Sequence, residues 1–303
     1  LIDFFDHEPW NYFYSDIGYY LKNKFNFNLK YFHFILHKSF LSKFYITHRR
    51  LDNIYNSFEC TKFLTNDNLK IIKKKFIKKE YNKINSKKYL ENYKYKKIII
   101  GDLIYDTYLR TCFEPTINLK SKKFLEIFEE AIRIYETVDS FFKKNKIKLC
   151  IPSHTYYIQY GILVRLALHY GIPVIMIHSR GKGKRDLQLK MINKKNPREH
   201  NLGYEFYNKN FQMFQNKNKL INEGKKILTN RLSGHSKINY LSQSPYKGKI
   251  KSIVSNKEKV VIFCHDFFDS AHKFKSMIFP DFYEQLIFLI NFIEKNTKYE
   301  IYL

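Results

Sequence analysis

A chain of 303 residues can bury a substantial core, as one large domain or two smaller ones. Its formal charge is +26, but of 54 basic residues only nine are Arg, and the lysines come with abundant Asn, Ile, Phe and Tyr, all residues of A- and T-rich codons. Codon bias explains that charge without a nucleic-acid partner. No uncharged apolar run reaches the roughly eighteen residues of a membrane span, since Tyr160 to Ile177 is broken by Arg165, His169 and Gly171-Ile172-Pro173.

The four cysteines show neither CxxC pairing nor metal-ligand spacing, as expected in a reducing cytosol. The chain begins at Leu1 rather than Met and stops inside an apparent strand, KYEIYL, so it reads as a fragment.

In chain order, Leu29 to Leu36 reads as a strand, and Ile54 to Phe63 as a helix end leading into a second one. His7, His33, His37 and His48 are scattered without ligand spacing. Lys70 to Tyr93 is helical in period, and the basic run to Lys97 reads as a solvated face. In the block KKIIIGDLIYDTYLRT, Ile98 to Ile100 is a short buried strand, Gly101 a tight turn and Asp102 an N-cap for a helix from Leu103. Asp102, Asp106 and Arg110 fall at i, i+4 and i+8, on one helical face. That stripe is either an internal ion-pair ladder or the wall of a polar cleft.

Lys122 to Lys144 is an amphipathic helix with acids early and lysines late, matching the helix dipole. It leads into the unit that organises the chain, Lys146 to Gly181. There, Ile147 to Pro152 predicts a strand, Ile158 to Tyr170 a helix closed by Gly171 and Pro173, and Val174 to Ile177 a second strand covered on both faces. The two strands end in Ser153-His154 and in His178-Ser179-Arg180-Gly181. In open α/β sheets ligands bind outside the carboxyl ends of strands. These tips are therefore either candidate site residues or well-bonded loops. The rarity of Arg singles out Arg110, Arg165, Arg180 and Arg231 as positions where a planar fork is required.

The loop GKGKR does not match a P-loop. Tyr204 to Arg231 is helical and polar, and Ser236 to Asn256 has the composition of a linker. Beyond it, Lys259 to Cys264 predicts a strand with a polar tip from His265 to His272. Pro280 to Glu294 predicts a helix with Pro280 near its first turn, and the last residues predict another strand. One large domain over 1–250 and the start of a second over 251–303 are expected, in an α/β fold with a mostly parallel sheet joining the strands near Ile98, Leu149 and Val174.

The blocks IIIGDLIYDTYLR, PSHTYYIQYGILVRLALHYGIPVI and VVIFCHDFFDSAH…FPDFYEQL together resemble bacterial glycosyltransferases of capsule and surface-carbohydrate synthesis. The resemblance implies a GT-B architecture, with a Rossmann-like acceptor-side domain and a second domain for the nucleotide sugar, much of it beyond Leu303. It also implies a metal-independent enzyme without cofactor, acting in the cytoplasm or at the inner membrane face. Its partners would be a nucleotide-sugar donor and a glycan or lipid-linked acceptor, with peripheral contact to an anionic membrane and no nucleic acid. Transfer needs a base for the acceptor hydroxyl and groups to hold the departing diphosphate. His154 or Asp102 is the expected base. Gly101, Asp106, Arg110, Ser153, His178, Ser179 and Arg180 are expected to bind substrate, with His265, Asp269 and Ser270 facing the donor. The alternatives are an epimerase-like enzyme acting on nucleotide sugars, and a basic module binding nucleic acid or membrane.

Overall fold

The computed structural model describes residues 2–3, 8–28, 30–34, 53–65, 68–180, 186–198, 204–233, 256–273, 277–295 and 298–302. They form an α/β protein of many helices and small sheets. By internal contacts the chain divides into two compact units. One comprises 1–200 with 263–295, and the other 201–262 with 296–303. This division is drawn elsewhere than at residue 250.

In the larger unit, strands β1 (Ile2–Asp3), β2 (Lys30–His33) and β3 (Thr61–Thr65) form a parallel sheet with β2 in the middle. Helix α1 (Glu8–Phe25) lies between β1 and β2 in sequence. A small aromatic core forms beside them: Tyr31 stacks on Tyr55 at 4.3 Å, and the buried Tyr55 hydroxyl donates to Asn11 Oδ1 at 2.9 Å. Ile151 and Ile177 from the central unit pack into this core.

The expected helix over Lys70 to Tyr93 is two helices, α2 (Lys74–Tyr81) and α3 (Lys87–Glu91), because Ser86 begins the second by capping the Tyr89 N–H. Strands β4 (Lys94–Tyr95) and β5 (Ile98–Ile99) then form a two-residue antiparallel hairpin, with Lys96 at φ 49° as such a turn requires. Closing on its own neighbour, the Ile98 strand does not join the strands at Leu149 and Val174.

Helices α4 (Gly101–Cys112), α5 (Lys122–Lys144) and α6 (Ile158–His169) carry most of the main core. Ser121 caps α5 by accepting from the Phe124 N–H, and buried Phe124, Phe128, Ile132, Tyr135, Val138 and Phe142 run down one face. Gly101 starts α4 rather than preceding it, and a Cβ there would lie 1.6 Å from the Leu90 carbonyl oxygen. Helix α6 closes as expected, on Gly171 at φ 74°.

The pairing before and after α6 is parallel, but it is a single bridge between Cys150 and Val174. The second strand, β6 (Ile175–Arg180), takes most of its hydrogen bonds from an antiparallel partner, β7 (Asp186–Met191). His178, Ser179 and Arg180 therefore belong to β6, paired with Gln188, Leu187 and Asp186, and do not form a loop at its tip. The expected mostly parallel sheet through Ile98, Leu149 and Val174 is thus replaced by two short hairpins and one bridge.

In the smaller unit, helices α7 (Tyr204–Met213) and α8 (Lys217–Leu232) expose every side chain at least in part. Strands β8 (Glu258–Val261) and β9 (Tyr299–Tyr302) pair in parallel. Helix α9 (Phe282–Glu294) belongs to the larger unit and is capped by Asp281, whose carboxylate accepts from the Glu284 N–H at 2.8 Å. Pro280 precedes that cap and is outside the helix. Residues 181–185, with the GKGKR loop, and almost all of the expected 236–256 linker lie outside the described residues.

Candidate functional site

The polar stripe on α4 is neither a ladder nor a continuous cleft wall. Its two aspartates take different partners. Asp102, in the first turn of α4, is buried and receives the fork of Arg165 from α6, Nη1 to Oδ1 at 2.6 Å and Nη2 to Oδ2 at 2.5 Å. Arg198 adds Nε at 2.7 Å from Oδ2, and Arg165 also donates to the Ile99 carbonyl at 2.7 Å. Burial alone would raise this carboxyl's pKa, but the two guanidinium groups hold it below its ordinary value. Its side chain does not cap α4. A carboxylate so held is a weak proton acceptor, which removes the reason for expecting Asp102 as a base. It is an anchor.

Asp106 is also buried. Its Oδ1 accepts from His272 twice, at 2.7 Å from Nδ1 and 3.2 Å from the backbone N–H. Burial raises the Asp106 pKa. The same burial opposes charge on His272, yet the adjoining carboxylate raises the imidazole above its ordinary value. His272 also lies against Tyr105, with centroids 4.7 Å apart, and the Tyr105 hydroxyl donates to Asp281 at 2.5 Å. The 263–295 segment is thereby fastened to α4, and Asp106 is occupied in that fastening. Arg110, at the other end of α4, is exposed.

At the end of the Cys150 bridge, the chain turns through Ser153 to Tyr157 into α6. Ser153 Oγ lies 2.9 Å from His154 Nδ1, and the His154 ring is flanked by Tyr156 and Tyr160 at 4.9 and 5.1 Å. Tyr157, the residue before α6, sits at φ 62° and ψ 154°, a region nearly reserved for glycine. The Ile158 N–H it leaves at the helix start donates to Thr107 Oγ1 at 3.0 Å. Burial raises the hydroxyl pKa values of Tyr156 and Tyr157, as do the nearby Asp269 and Asp106 charges, with Arg110 opposing and Ser270 hydrogen-bonded to Tyr157. Lys273 Nζ lies over the Tyr156 ring, 5.6 Å from its centroid.

In the larger unit, His154 packs on Tyr156 with Ser153 beside it, and Ser270 is hydrogen-bonded to Tyr157, while Arg110 and Asp269 act on the two hydroxyls through their charges. Burial would raise Asp269, but the Ser270 N–H, 2.8 Å from Oδ1, and the charges of Lys273 and His265 hold it down. His265 is exposed and stacks on Phe282 at 4.3 Å. Gly101 faces the backbone at Leu90, so it serves packing, not substrate. The side chains of His178, Ser179 and Arg180 are outside the described residues.

The scarcity of arginine points to Arg165, and its bidentate contact with Asp102 is such a planar fork. The same scarcity applies to Arg198 within NKKNPREH, which the sequence alone does not single out. His272 and Tyr157 carry no sequence mark, because their roles depend on tertiary partners. Among the described residues there is no cluster of His, Cys, Asp and Glu suited to a metal, and no helix long and apolar enough to cross a membrane. No family model, curated protein or solved structure matches the chain.

Proposed function

We propose that the chain is a glycosyltransferase of GT-B kind, moving a sugar from a nucleotide-sugar donor to a hydroxyl of a surface polysaccharide or lipid-linked glycan. The observation that carries this reading is the grouping of His154, Ser153 and the Lys273 cation around Tyr156, within electrostatic reach of Arg110. In the tautomer in which His154 Nδ1–H donates to Ser153 Oγ, Nε2 carries the lone pair that accepts a hydroxyl proton. Arg110 and Lys273 supply positive charge for a departing phosphate. The strained backbone at Tyr157 is of the kind that accumulates at working sites.

The test is a panel of nucleotide sugars incubated with the chain and simple glycan acceptors, with free nucleotide and glycosylated product both measured. Transfer is expected with at least one donor, and His154→Ala should lower turnover by about a hundredfold or more while leaving the melting temperature close to native. Unaltered turnover in His154→Ala would remove the base assignment. Conversion of the donor into an isomer without transfer would favour the epimerase-like alternative instead.

A further inference from the structure

Away from His154, a cavity of about 390 Å³ opens between the β4–β5 hairpin, the last turn of α6 and the 194–198 turn. Six cationic or ionisable nitrogen side chains line it: Lys97, Arg165, His169, Lys194, Lys195 and Arg198. Ile98, Ile99 and Leu168 supply an apolar wall, and among the described residues no carboxylate lines it. The counter-charges sit behind that wall. Asp102 takes Arg165 and Nε of Arg198, and Asp139 takes Lys97 at 3.3 Å. Among the described residues the ammonium groups of Lys194 and Lys195 have no partner, and Arg198 is paired with Asp102 through Nε. Nε of Arg165 is a second kind of surplus, a buried donor with none. The Asp102 fork fixes Arg165, and with it one wall, before any ligand arrives, which reduces the ordering cost of binding. His169 reads the resulting field, since burial and the charges of Lys97 and Lys194 lower its pKa.

We propose that this cavity binds a phosphate or diphosphate group carried by an organic ligand, with the anion held by Lys194, Lys195 and Arg198 and the body against Ile98, Ile99 and Leu168. Clustered cations with an arginine among them favour a multiply charged oxyanion over a carboxylate. The volume is that of a small-molecule pocket, too small for a nucleic-acid groove. The inference does not rest on sugar transfer, because its readout is binding alone.

Inorganic pyrophosphate is the first probe, titrated calorimetrically at low ionic strength while the His169 ring is followed by NMR. Binding is expected to raise the His169 pKa. Lys194→Ala with Lys195→Ala, both on exposed positions, should weaken binding at least tenfold. The control pair Lys74→Ala with Lys75→Ala, on exposed positions of α2, should leave it unchanged. Equal weakening by both pairs would mean attraction to a lysine-rich surface and would overturn the site, as would an unmoved His169. Two further arms, uridine diphosphate and a short prenyl diphosphate, separate a nucleotide from a lipid source. Tighter binding of either than of pyrophosphate supports the site and identifies the ligand body. Weaker binding of both overturns the apolar half of the proposal.

Discussion

At the scale of single residues, the contrast is between Asp102 and His154. Both stood in the sequence as candidate bases, and only the surroundings separate them. A lone Asp at the start of a helix predicts a cap, whereas this one lies opposite two arginines that come from 63 and 96 positions further along the chain. No local pattern discloses such partners. If Asp102 were the base, Asp102→Asn would impair turnover and leave stability almost intact. With its buried carboxylate neutralising two guanidinium groups, the same substitution should instead destabilise the protein by about 3 kcal/mol or more, as breaking a buried ion pair does. Urea denaturation of Asp102→Asn measures this directly, and a loss below about 1 kcal/mol would return the carboxylate to the list of bases.

At the scale of elements, helices were more legible than sheets. The α5 boundaries follow from Ser121, the apolar spacing and the terminal lysines, all local signals. The end of α6 follows from Gly171 and Pro173. Strand pairing was legible only in part, because an apolar run such as Ile98 to Ile100 specifies burial but not its partner, and the turn at Lys96-Lys97 lacks the Asn-Gly or Asp-Gly signature of a hairpin. Helix α9 gives an element-scale test. Asp281 accepts from the Glu284 N–H, the Tyr105 hydroxyl and the Thr116 hydroxyl. Asp281→Ala should therefore cost more than the roughly 1 kcal/mol of a cap alone, because the buried Tyr105 hydroxyl also loses its acceptor. Asp281→Asn, which still accepts, should recover much of that loss. Thermal melts of the two variants check the difference, and equal melting temperatures would count against it.

At the scale of the whole molecule, stability acquires a pH dependence from the Asp106–His272 pair. Both groups have raised pKa values in the folded protein, so the native state holds protons that the unfolded chain releases. The His272 contribution is fully present below its ordinary value of 6.5 and is lost as pH rises through the folded value. His169, shifted the other way, exerts its effect below 6.5, so the window above that pH reports His272. The melting temperature should decline above pH 6.5 in the native protein. In His272→Asn, which keeps a donor toward Asp106 without titrating, it should be flatter. Parallel pH profiles of the two proteins would show that the pair does not govern stability.

The triad at Asp102 also has a mechanical consequence. Arg198 sits at one end of the 194–198 turn and is riveted to the interior, while Lys194 and Lys195 stand in solvent at the other. An outward swing of this turn is therefore resisted at Arg198, since withdrawing that guanidinium would strand part of a carboxylate's charge away from water, and at buried Ile192, whose N–H bonds the Val174 carbonyl at 2.9 Å. Between these fixed points the side chains of Lys194 and Lys195 move without breaking a buried contact. Residence time at the cavity should thus be set by two flexible side chains and not by the stiff frame behind them.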